Sequence, residues 1–426
     1  PDMLKRLLVA ALAILLVAAA GGWAYATRHP AIAAIDPPDP SAFPPDLITR
    51  GEALAALGNC AVCHTVPGGA PYSGGYAIPT PFGTLFSTNI SPDPEHGIGR
   101  WSEAAFARAL RSGVSRTGEL LYPALPYDHF TRATDEDVAA LYAWVMSQPA
   151  SASVPPANEM RFPFGFRPLL AGWQALFLDE ARFSPSPDRS AEWNRGAYLV
   201  EGLGHCGACH TPRNTLGAAD SGRHFAGTTL ANGWHAPALD ATTPAVVPWT
   251  ADSLVNYLLD GWDRDHGVAD GPMTHVVDNL GMLSEDDVYA IAEYLMSHLP
   301  PPEGDRAALR AAAEALEFPS QTPDAGFAAD YADGALRRGF DTFARACANC
   351  HRRGTETVPL ALTPTVHAPN AVHFVNLVRE GIKPPQNTPD KTMPAFAAMS
   401  DADLRDLAAF VRRHFTDRPA WNDPPP

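Results

Sequence analysis

Three stretches of the chain share one five-residue pattern: Cys60-Ala-Val-Cys63-His64, Cys206-Gly-Ala-Cys209-His210 and Cys347-Ala-Asn-Cys350-His351. Cys-x-x-Cys-His is the attachment signature of c-type haem, in which two thiols bond to the porphyrin and the histidine binds the iron. A thioredoxin-like thiol pair or half of a zinc site would also contain Cys-x-x-Cys. However, the pentads are about 140 residues apart, each continues at once into histidine, and together they contain all six cysteines. The sequence therefore predicts three covalent haems and a role in moving electrons.

The composition limits the class of protein. The chain has 426 residues, of which 46% are hydrophobic, so roughly two to four folded domains are expected. The formal net charge of −16 at pH 7 repels nucleic acid, and we expect no nucleic-acid partner. The 43 prolines, about twice the average share, gather between the pentads and at the C-terminus, which indicates linkers.

An apolar segment near the N-terminus is typical of a membrane helix. Leu7 to Ala26 contains 20 residues without a charge, and Lys5 and Arg6 precede it. A helix of this length spans roughly 30 Å, and the basic residues predict that its start stays in the cytoplasm. A signal peptide cleaved after Ala24-Tyr25-Ala26 is the alternative. We expect residues 1–28 to anchor the chain in a bacterial inner membrane, with the haem-binding part in the periplasm.

The sequence around each pentad is repeated. An arginine–glycine pair precedes each first cysteine by 9 to 11 residues, counted from the arginine: Arg50-Gly51, Arg195-Gly196 and Arg338-Gly339. Each repeat closes on a predicted helix that starts with Ser or Thr followed by an acid three residues later, a capping signal: Thr134 with Asp137, Ser284 with Asp287, and Ser400 with Asp403. Ten residues after each cap stands an aromatic residue on the apolar face of that helix: Trp144, Tyr294 and Phe410.

These repeats give the expected domain boundaries. We predict three domains at residues 47–150, 190–300 and 332–416, joined by linkers at 151–189 and 301–331. Convincing strand patterns are few. The expected fold class is therefore mainly α, with long loops.

Two methionines are the candidates for the second axial ligand of the later haems. This ligand is commonly Met or His, and it comes from the loop before the last helix. In the second repeat the candidate is Met273 of Gly271-Pro272-Met273, with Met282 as its rival. In the third repeat it is Met393, with Met399 as its rival. The alternative at each site is a methionine that only fills the core.

The first repeat departs from this rule, because Leu125 occupies the methionine slot and cannot bind iron. Met146 lies on the last helix, where a packing role is expected. His129, four residues beyond Leu125, can reach a metal, and we predict His64/His129 ligation with the lowest potential of the three haems. His96 is a weaker option, and a five-coordinate iron is the third. The remaining histidines have no repeated position, so we expect them to be surface or packing residues.

Several stretches of the exported chain resemble the three-haem cytochrome c subunit of bacterial membrane-bound periplasmic dehydrogenases. They are Phe86 to Asp93, Gly97 to Ser102, Cys209 to Asn214, and Gly271 to Met273. The resemblance implies three consecutive class I cytochrome c domains, each with a crossed pair of first and last helices. It also implies that the chain passes electrons from a catalytic dehydrogenase subunit to membrane ubiquinone and has no catalytic residues of its own.

The choice of partner rests on the same resemblance. Alcohol and gluconate dehydrogenase members usually read Tyr-Pro-Ala-Met-Pro-Tyr where this chain has Leu125. Leu121 to Thr131, Asn158 to Pro163 and Gly172-Trp173 look closer to cytochrome subunits that accompany molybdopterin hydroxylases of the xanthine dehydrogenase type. This implies an aldehyde dehydrogenase complex with a molybdopterin subunit and a small iron–sulphur subunit. The alternative partners are a quinoprotein alcohol dehydrogenase and a flavin-dependent gluconate or sorbitol dehydrogenase. The alternative functions for the chain itself are a multihaem peroxidase-like enzyme with the first haem open and a soluble electron shuttle.

Overall fold

The last helix of each repeat begins where its capping signal predicts. In the computed structural model, Thr134, Ser284 and Ser400 each accept the backbone N–H three residues later, at 3.1–3.2 Å. Such a cap contributes about 1 kcal/mol to helix stability. The structure describes residues 3, 5, 21–23, 27–322, 327, 331 and 334–421. The chain divides into two compact units, Pro1–Ser184 and Pro185–Pro426.

The N-terminal unit contains the first pentad. A short antiparallel sheet pairs residues 77–80 with residues 83–86, from Ala77↔Phe86 to Thr80↔Gly83, and residues 83–84 with residues 159–160. Its helices and strands, apart from a 3₁₀ turn at Pro40–Ala42, are α1 (Pro45–Leu57), α2 (Cys60–His64), β1 (Ala77–Thr80), β2 (Gly83–Phe86), α3 (Glu103–Ser112), α4 (Tyr127–Phe130), α5 (Asp135–Met146), β3 (Glu159–Met160) and α6 (Leu169–Phe177).

The C-terminal unit contains the other two pentads. Its strands are two residues long and form two separate hairpin-like pairs, residues 228–229 with 235–236 and residues 262–263 with 267–268. The elements are α7 (Ala191–Glu201), α8 (Gly207–His210), β4 (Thr228–Thr229), β5 (His235–Ala236), α9 (Ala251–Asp260), β6 (Trp262–Asp263), β7 (Gly267–Val268), α10 (Pro272–Leu280), α11 (Glu285–Met296), α12 (Arg306–Leu316), α13 (Gly334–Ala346), α14 (Pro364–His367), α15 (Val372–Glu380) and α16 (Asp401–Phe415), with 3₁₀ turns at Ser221–Arg223 and Leu360–Leu362.

A glycine of the first helix lies against the last helix in every repeat. A side chain at Gly51, for example, would overlap the carbonyl oxygen of Ala140, so only glycine allows the two backbones to approach this closely. A Cβ atom built on each glycine would lie closer to the aromatic residue of the last helix than van der Waals contact permits: Gly51 to Trp144 Cβ 2.6 Å, Gly196 to Tyr294 Cβ 2.8 Å, and Gly339 to Phe410 Cβ 2.6 Å. The crossed helix pair is therefore built the same way three times.

The arginine before each glycine forms an ion pair across the same crossing. The repeated arginine is visible in the sequence, but its partner is not. In the first two repeats the acid is the third residue after the cap, and in the third repeat it is the sixth. The pairs are Arg50 with Asp137 at 2.5 Å, Arg195 with Asp287 at 2.7 Å, and Arg338 with Asp406 at 2.5 Å.

The predicted apolar face of each last helix is buried. Positions 4, 7, 10 and 11 after the cap are at most 7% exposed in all three helices. They are Val138, Leu141, Trp144 and Val145; Val288, Ile291, Tyr294 and Leu295; and Leu404, Leu407, Phe410 and Val411. Spacings of three and four residues place these side chains on one side of an α-helix, which faces the core of its own repeat.

The predicted linker 151–189 contains ordered structure that packs on the first repeat. Asn158 accepts the backbone N–H of Phe86 at 2.8 Å, and Trp173 of α6 contacts the wholly buried Tyr127 edge-on, with ring centres 5.8 Å apart. The boundary between the two units, after Ser184, falls within this segment. The bounds predicted for the second and third domains stay predictions, since both lie in one compact unit.

The apolar segment Leu7 to Ala26 lies outside the described residues, apart from Gly21 to Trp23. Among the helices that the structure describes, none has the length and apolar character needed to cross a bilayer. The membrane anchor therefore stays a prediction from the sequence.

Glu317 is a buried acid that should make the stability of the C-terminal unit depend on pH. It is 4% exposed, and burial raises its pKa to about 7, although it accepts the N–H of Leu360 at 2.7 Å. Because the folded-state pKa lies above the unfolded value, this group contributes stability that is complete below pH 4.5 and lost as pH rises through 7. Glu317→Gln should abolish this pH-dependent loss in the free energy of unfolding, which amounts to about 3 kcal/mol. Denaturant midpoints at pH 5 and pH 8 would measure it.

The matched control is Glu314→Gln, an exposed acid on α12, three residues before Glu317. This variant should follow the wild-type pH dependence. An unchanged pH dependence in Glu317→Gln would contradict the assignment.

Candidate haem-binding sites

Each pentad forms one turn of the chain. The first pentad is α2 itself, and the second forms α8 with Cys206 as its N-cap. The third is a turn outside any helix that directly follows α13. In the later two, the histidine N–H donates to the carbonyl of the first cysteine at 3.0 Å, as in an α-helix. Residues three and four apart lie on one side of a helical turn, so the two thiols and the imidazole face the same way.

The first cysteine of each pentad is half-buried. None of the six cysteines forms a disulfide. Burial raises the pKa of these first cysteines to about 12: Cys60, Cys206 and Cys347. Redox-active cysteines have a lowered pKa instead, so this environment disfavours a thioredoxin-like role. Within the described part of the chain, no cluster of three or more His, Cys, Asp or Glu residues is placed to hold a metal ion.

The first two pentad histidines are held in the tautomer that binds iron. His64 Nδ1 lies 2.6 Å from the carbonyl oxygen of Thr88, and His210 Nδ1 lies 2.7 Å from that of Pro237. A carbonyl can only accept, so Nδ1 carries the proton and Nε2 keeps its lone pair. Burial lowers the pKa of both histidines, which keeps the imidazoles neutral. Neutral imidazole with a free Nε2 is the form that a haem iron requires.

The third pentad histidine differs in one respect. Burial lowers the pKa of His351 as well, to about 4. Its Nδ1 has no hydrogen-bond partner among the described residues. The imidazole is therefore neutral without a fixed tautomer. In all three pentads, paired thiols beside a neutral imidazole fit a covalently attached haem.

Met273 lies in the first turn of α10 and is half-buried. Gly271, which caps this helix, has φ +49° and lies against the Trp234 ring, where a side chain would overlap the indole. The rival Met282 is 50% exposed, which disfavours it as an iron ligand. Met273 therefore stays the predicted ligand in the second repeat.

Met393 ends a loop that begins at Ile382, and the two residues exchange backbone hydrogen bonds of 2.9 and 3.2 Å. It is half-buried and packs on the same apolar core as Cys347 and Phe410. The rival Met399 packs on this core as well. Met393 stays the predicted ligand in the third repeat.

The first repeat has no methionine in a loop position. His129 lies on α4, half-buried, between the wholly buried Tyr127 and the buried Phe130. His96 is exposed in a turn, with Nδ1 3.4 Å from Asp93. Met146 is 1% exposed inside α5, as its expected packing role requires. His129 stays the predicted ligand of the first haem.

Two family models and several known proteins match the chain. The family model described as cytochrome c matches residues 48–149, and the model described as cytochrome c oxidase, cbb3-type, subunit III, matches residues 334–411. The chain is 36% identical over 389 residues to the cytochrome c subunit of the quinone alcohol dehydrogenase of Gluconacetobacter polyoxogenes, covering 86% of this chain and 80% of the relative. It is 35% identical over 389 residues to the gluconate 2-dehydrogenase cytochrome c subunit of Pantoea cypripedii, covering 86% and 85%.

The chain belongs to the family of cytochrome c subunits of dehydrogenase complexes. A further relative is one of the subunits of the nicotinate dehydrogenase of Pseudomonas putida, 46% identical over 398 residues. That match covers 92% of this chain and only 32% of the relative, so the chain spans about a third of that protein's length. Members of this family are electron-transfer subunits and not themselves catalytic, and their cytochrome c domains imply haem c. The expected family and the expected absence of a catalytic role are thus confirmed.

Proposed function

We propose that the cytochrome subunit carries three haems c and passes electrons from a catalytic dehydrogenase subunit to membrane ubiquinone. The observation that supports it best is the threefold repetition of one arrangement. A first helix with a glycine at the crossing is followed by the pentad turn and by a capped last helix that crosses the first. The haem supplies one-electron chemistry. The chain's residues keep the pentad imidazoles neutral through burial, and in the first two repeats they also leave Nε2 with the lone pair that could bind an iron.

The proposed partner is a molybdopterin dehydrogenase with a small iron–sulphur subunit, acting on an aldehyde or on a nitrogen heteroaromatic acid such as nicotinate. The identity to a nicotinate dehydrogenase subunit is 46%, against 36% and 35% for the alcohol and gluconate dehydrogenase subunits. Leu125 supports the same choice, because it replaces the methionine that is usual in the alcohol and gluconate group. The alternative partner is a quinoprotein alcohol dehydrogenase or a flavin-dependent gluconate or sorbitol dehydrogenase.

The proposed location is a bacterial inner membrane, with the haem-binding repeats in the periplasm. The uncharged segment Leu7 to Ala26, preceded by Lys5 and Arg6, supports a single anchor in this orientation. An anchor keeps the subunit next to the bilayer in which ubiquinone dissolves.

Purification of the native complex in a mild detergent tests the partner and the location together. We expect the subunit in the membrane fraction, with molybdenum, iron–sulphur and a large second subunit in the same particle. Metal analysis, mass spectrometry and quinone reduction with aldehyde or nicotinate would measure this. A pyrroloquinoline quinone or flavin subunit in its place would favour the alternative partner. A subunit found only in the soluble fraction, with its N-terminus removed, would contradict the anchor.

A peroxidase-like enzyme with an open first haem is the second candidate, and Leu125 is the observation that favours it. Carbon monoxide binds a reduced haem whose sixth position is open. Prompt binding of one carbon monoxide per chain, lost with the first haem, would support this function. Absence of binding would support the electron-transfer function with all three haems fully coordinated.

A further inference from the structure

The segment that ends in Met273 is held by a residue from the third repeat. His373, on α15, is 5% exposed, and its Nε2 lies 3.3 Å from a carboxylate oxygen of Asp270, three residues before Met273. The backbone N–H of His235 donates to His373 Nδ1 at 3.0 Å. Nδ1 therefore holds the lone pair, and the proton is on Nε2, which faces Asp270 and the Thr365 hydroxyl at 3.2 Å. The hydrogen bonds thus fix one neutral tautomer of His373.

Trp234 completes this arrangement from the other side. Its ring lies edge-on to the His373 imidazole, with ring centres 5.2 Å apart and an angle of 88°. The same indole covers Gly271, where an added Cβ would lie 2.5 Å from the ring. Trp234 is only 7% exposed. The residues directly before Met273 are thus fixed between a tryptophan of the second repeat and a histidine of the third.

The loop that ends in Met393 is held by residues of the second repeat. It runs from Ile382 and rests on α9 and α10 of the second repeat, and α10 is the helix that carries Met273. The contacts are Gln386 N–H to Asp278 (2.8 Å), Asn387 to the Leu259 carbonyl (2.8 Å), Thr388 to the Asp260 carbonyl (2.7 Å), and the Lys391 ammonium over the Trp262 ring (4.2 Å). The segment before Met273 therefore contacts the third repeat, and the loop before Met393 contacts the second repeat.

We propose that His373 and Asp270 are positioning residues for the second haem, so that the third repeat controls how firmly Met273 is presented to the iron. The inference rests on the proposed function, since it takes Met273 as the axial ligand. A thioether is a weak, neutral ligand whose bond depends on where its backbone is held. Removing His373 leaves a mostly buried carboxylate and the His235 N–H without their partners, which costs enough to move the segment.

The test compares His373→Leu with His373→Gln, in the full chain with its haems attached. The Gln amide can still accept from the His235 N–H and donate to Asp270, so this variant should keep the wild-type behaviour. His373→Leu should lose the near-infrared band of methionine-ligated ferric haem at one haem and lower the potential of that haem alone. Asp270→Ala, which removes the acceptor of the His373 Nε2–H, should weaken the same band and covers the case that His373→Leu does not fold.

Two further variants make the result specific. Arg379→Ala lies on α15 and removes an ion pair with Asp401, which is within the third repeat, so it should change neither the band nor the potentials. Met273→Ala defines complete loss of the ligand. An intact band in both His373→Leu and Asp270→Ala, or the same loss in Arg379→Ala, would overturn the inference while leaving Met273 as ligand. An unchanged band in Met273→Ala would overturn the ligand assignment and the inference with it.

Discussion

A His129→Met variant is expected to raise the reduction potential of the first haem, while the other two potentials stay unchanged. Methionine is a weaker electron donor than imidazole, so it stabilises the ferrous iron. The shift should be on the order of 0.1 V, well within the roughly 0.8 V range that axial ligands span. Potentiometric titration followed by optical spectroscopy would measure it. In wild type the first haem should titrate at the lowest potential of the three.

Two companion variants separate His129 from other candidates. His96→Ala alters an exposed histidine that pairs with Asp93, and it should leave every potential unchanged. Leu125→Met combined with His129→Ala places a methionine in the slot that alcohol and gluconate dehydrogenase members use, and it should reproduce the raised potential. If His129→Met leaves the spectrum and the potential as in wild type, His129 is not the ligand.

Replacing both cysteines of one pentad by alanine is expected to remove one haem of the three and to reduce quinone reduction below detection. Thioether bonds could form only at the pentad thiols, and the loss of one haem would interrupt the proposed relay of electrons through all three. The variant should also unfold more easily, because it would lose the packing that a covalently attached haem would add to its repeat. Intact mass, haem content per chain and quinone reductase activity of the complex would measure these effects for each of the three pentads.

The control replaces a residue outside the haem sites, because no cysteine lies elsewhere in the chain. Met282→Ala alters a methionine that is 50% exposed and should keep three haems and full activity. Wild-type protein with fewer than three covalent haems, or a double-alanine variant that keeps three, would refute the haem assignment.

The sequence predicted the starts and the buried faces of the last helices, because their signals are local or strictly repeated, whereas the crossing of the helices was expected from the family resemblance. The caps Thr134, Ser284 and Ser400 start helices in the structure, and Gly51, Gly196 and Gly339 lie at the crossings. Each capping signal occupies only four residues, and helical spacing fixes the buried face. Both depend on chain geometry alone, so one sequence is enough to find them.

The parts that sequence could not predict depend on residues far apart in the chain. Arg50 meets Asp137 87 residues later, and His373 meets Asp270 across 103 residues. A single sequence does not show which of many acids such a residue faces. His373 was expected to be only a surface or packing residue, since its position is not repeated. In the sequence, His373 is only a histidine on the apolar face of α15. An ordinary core residue would show the same pattern.

The environment of the pentad thiols bears on when a haem can be attached. Cys60, Cys206 and Cys347 are half-buried, and burial raises the pKa of their thiols, which favours the less reactive protonated form. We therefore expect thioether formation to be faster before each repeat closes than after it. The glycine crossing and its arginine–aspartate pair would then close around a porphyrin that is already attached.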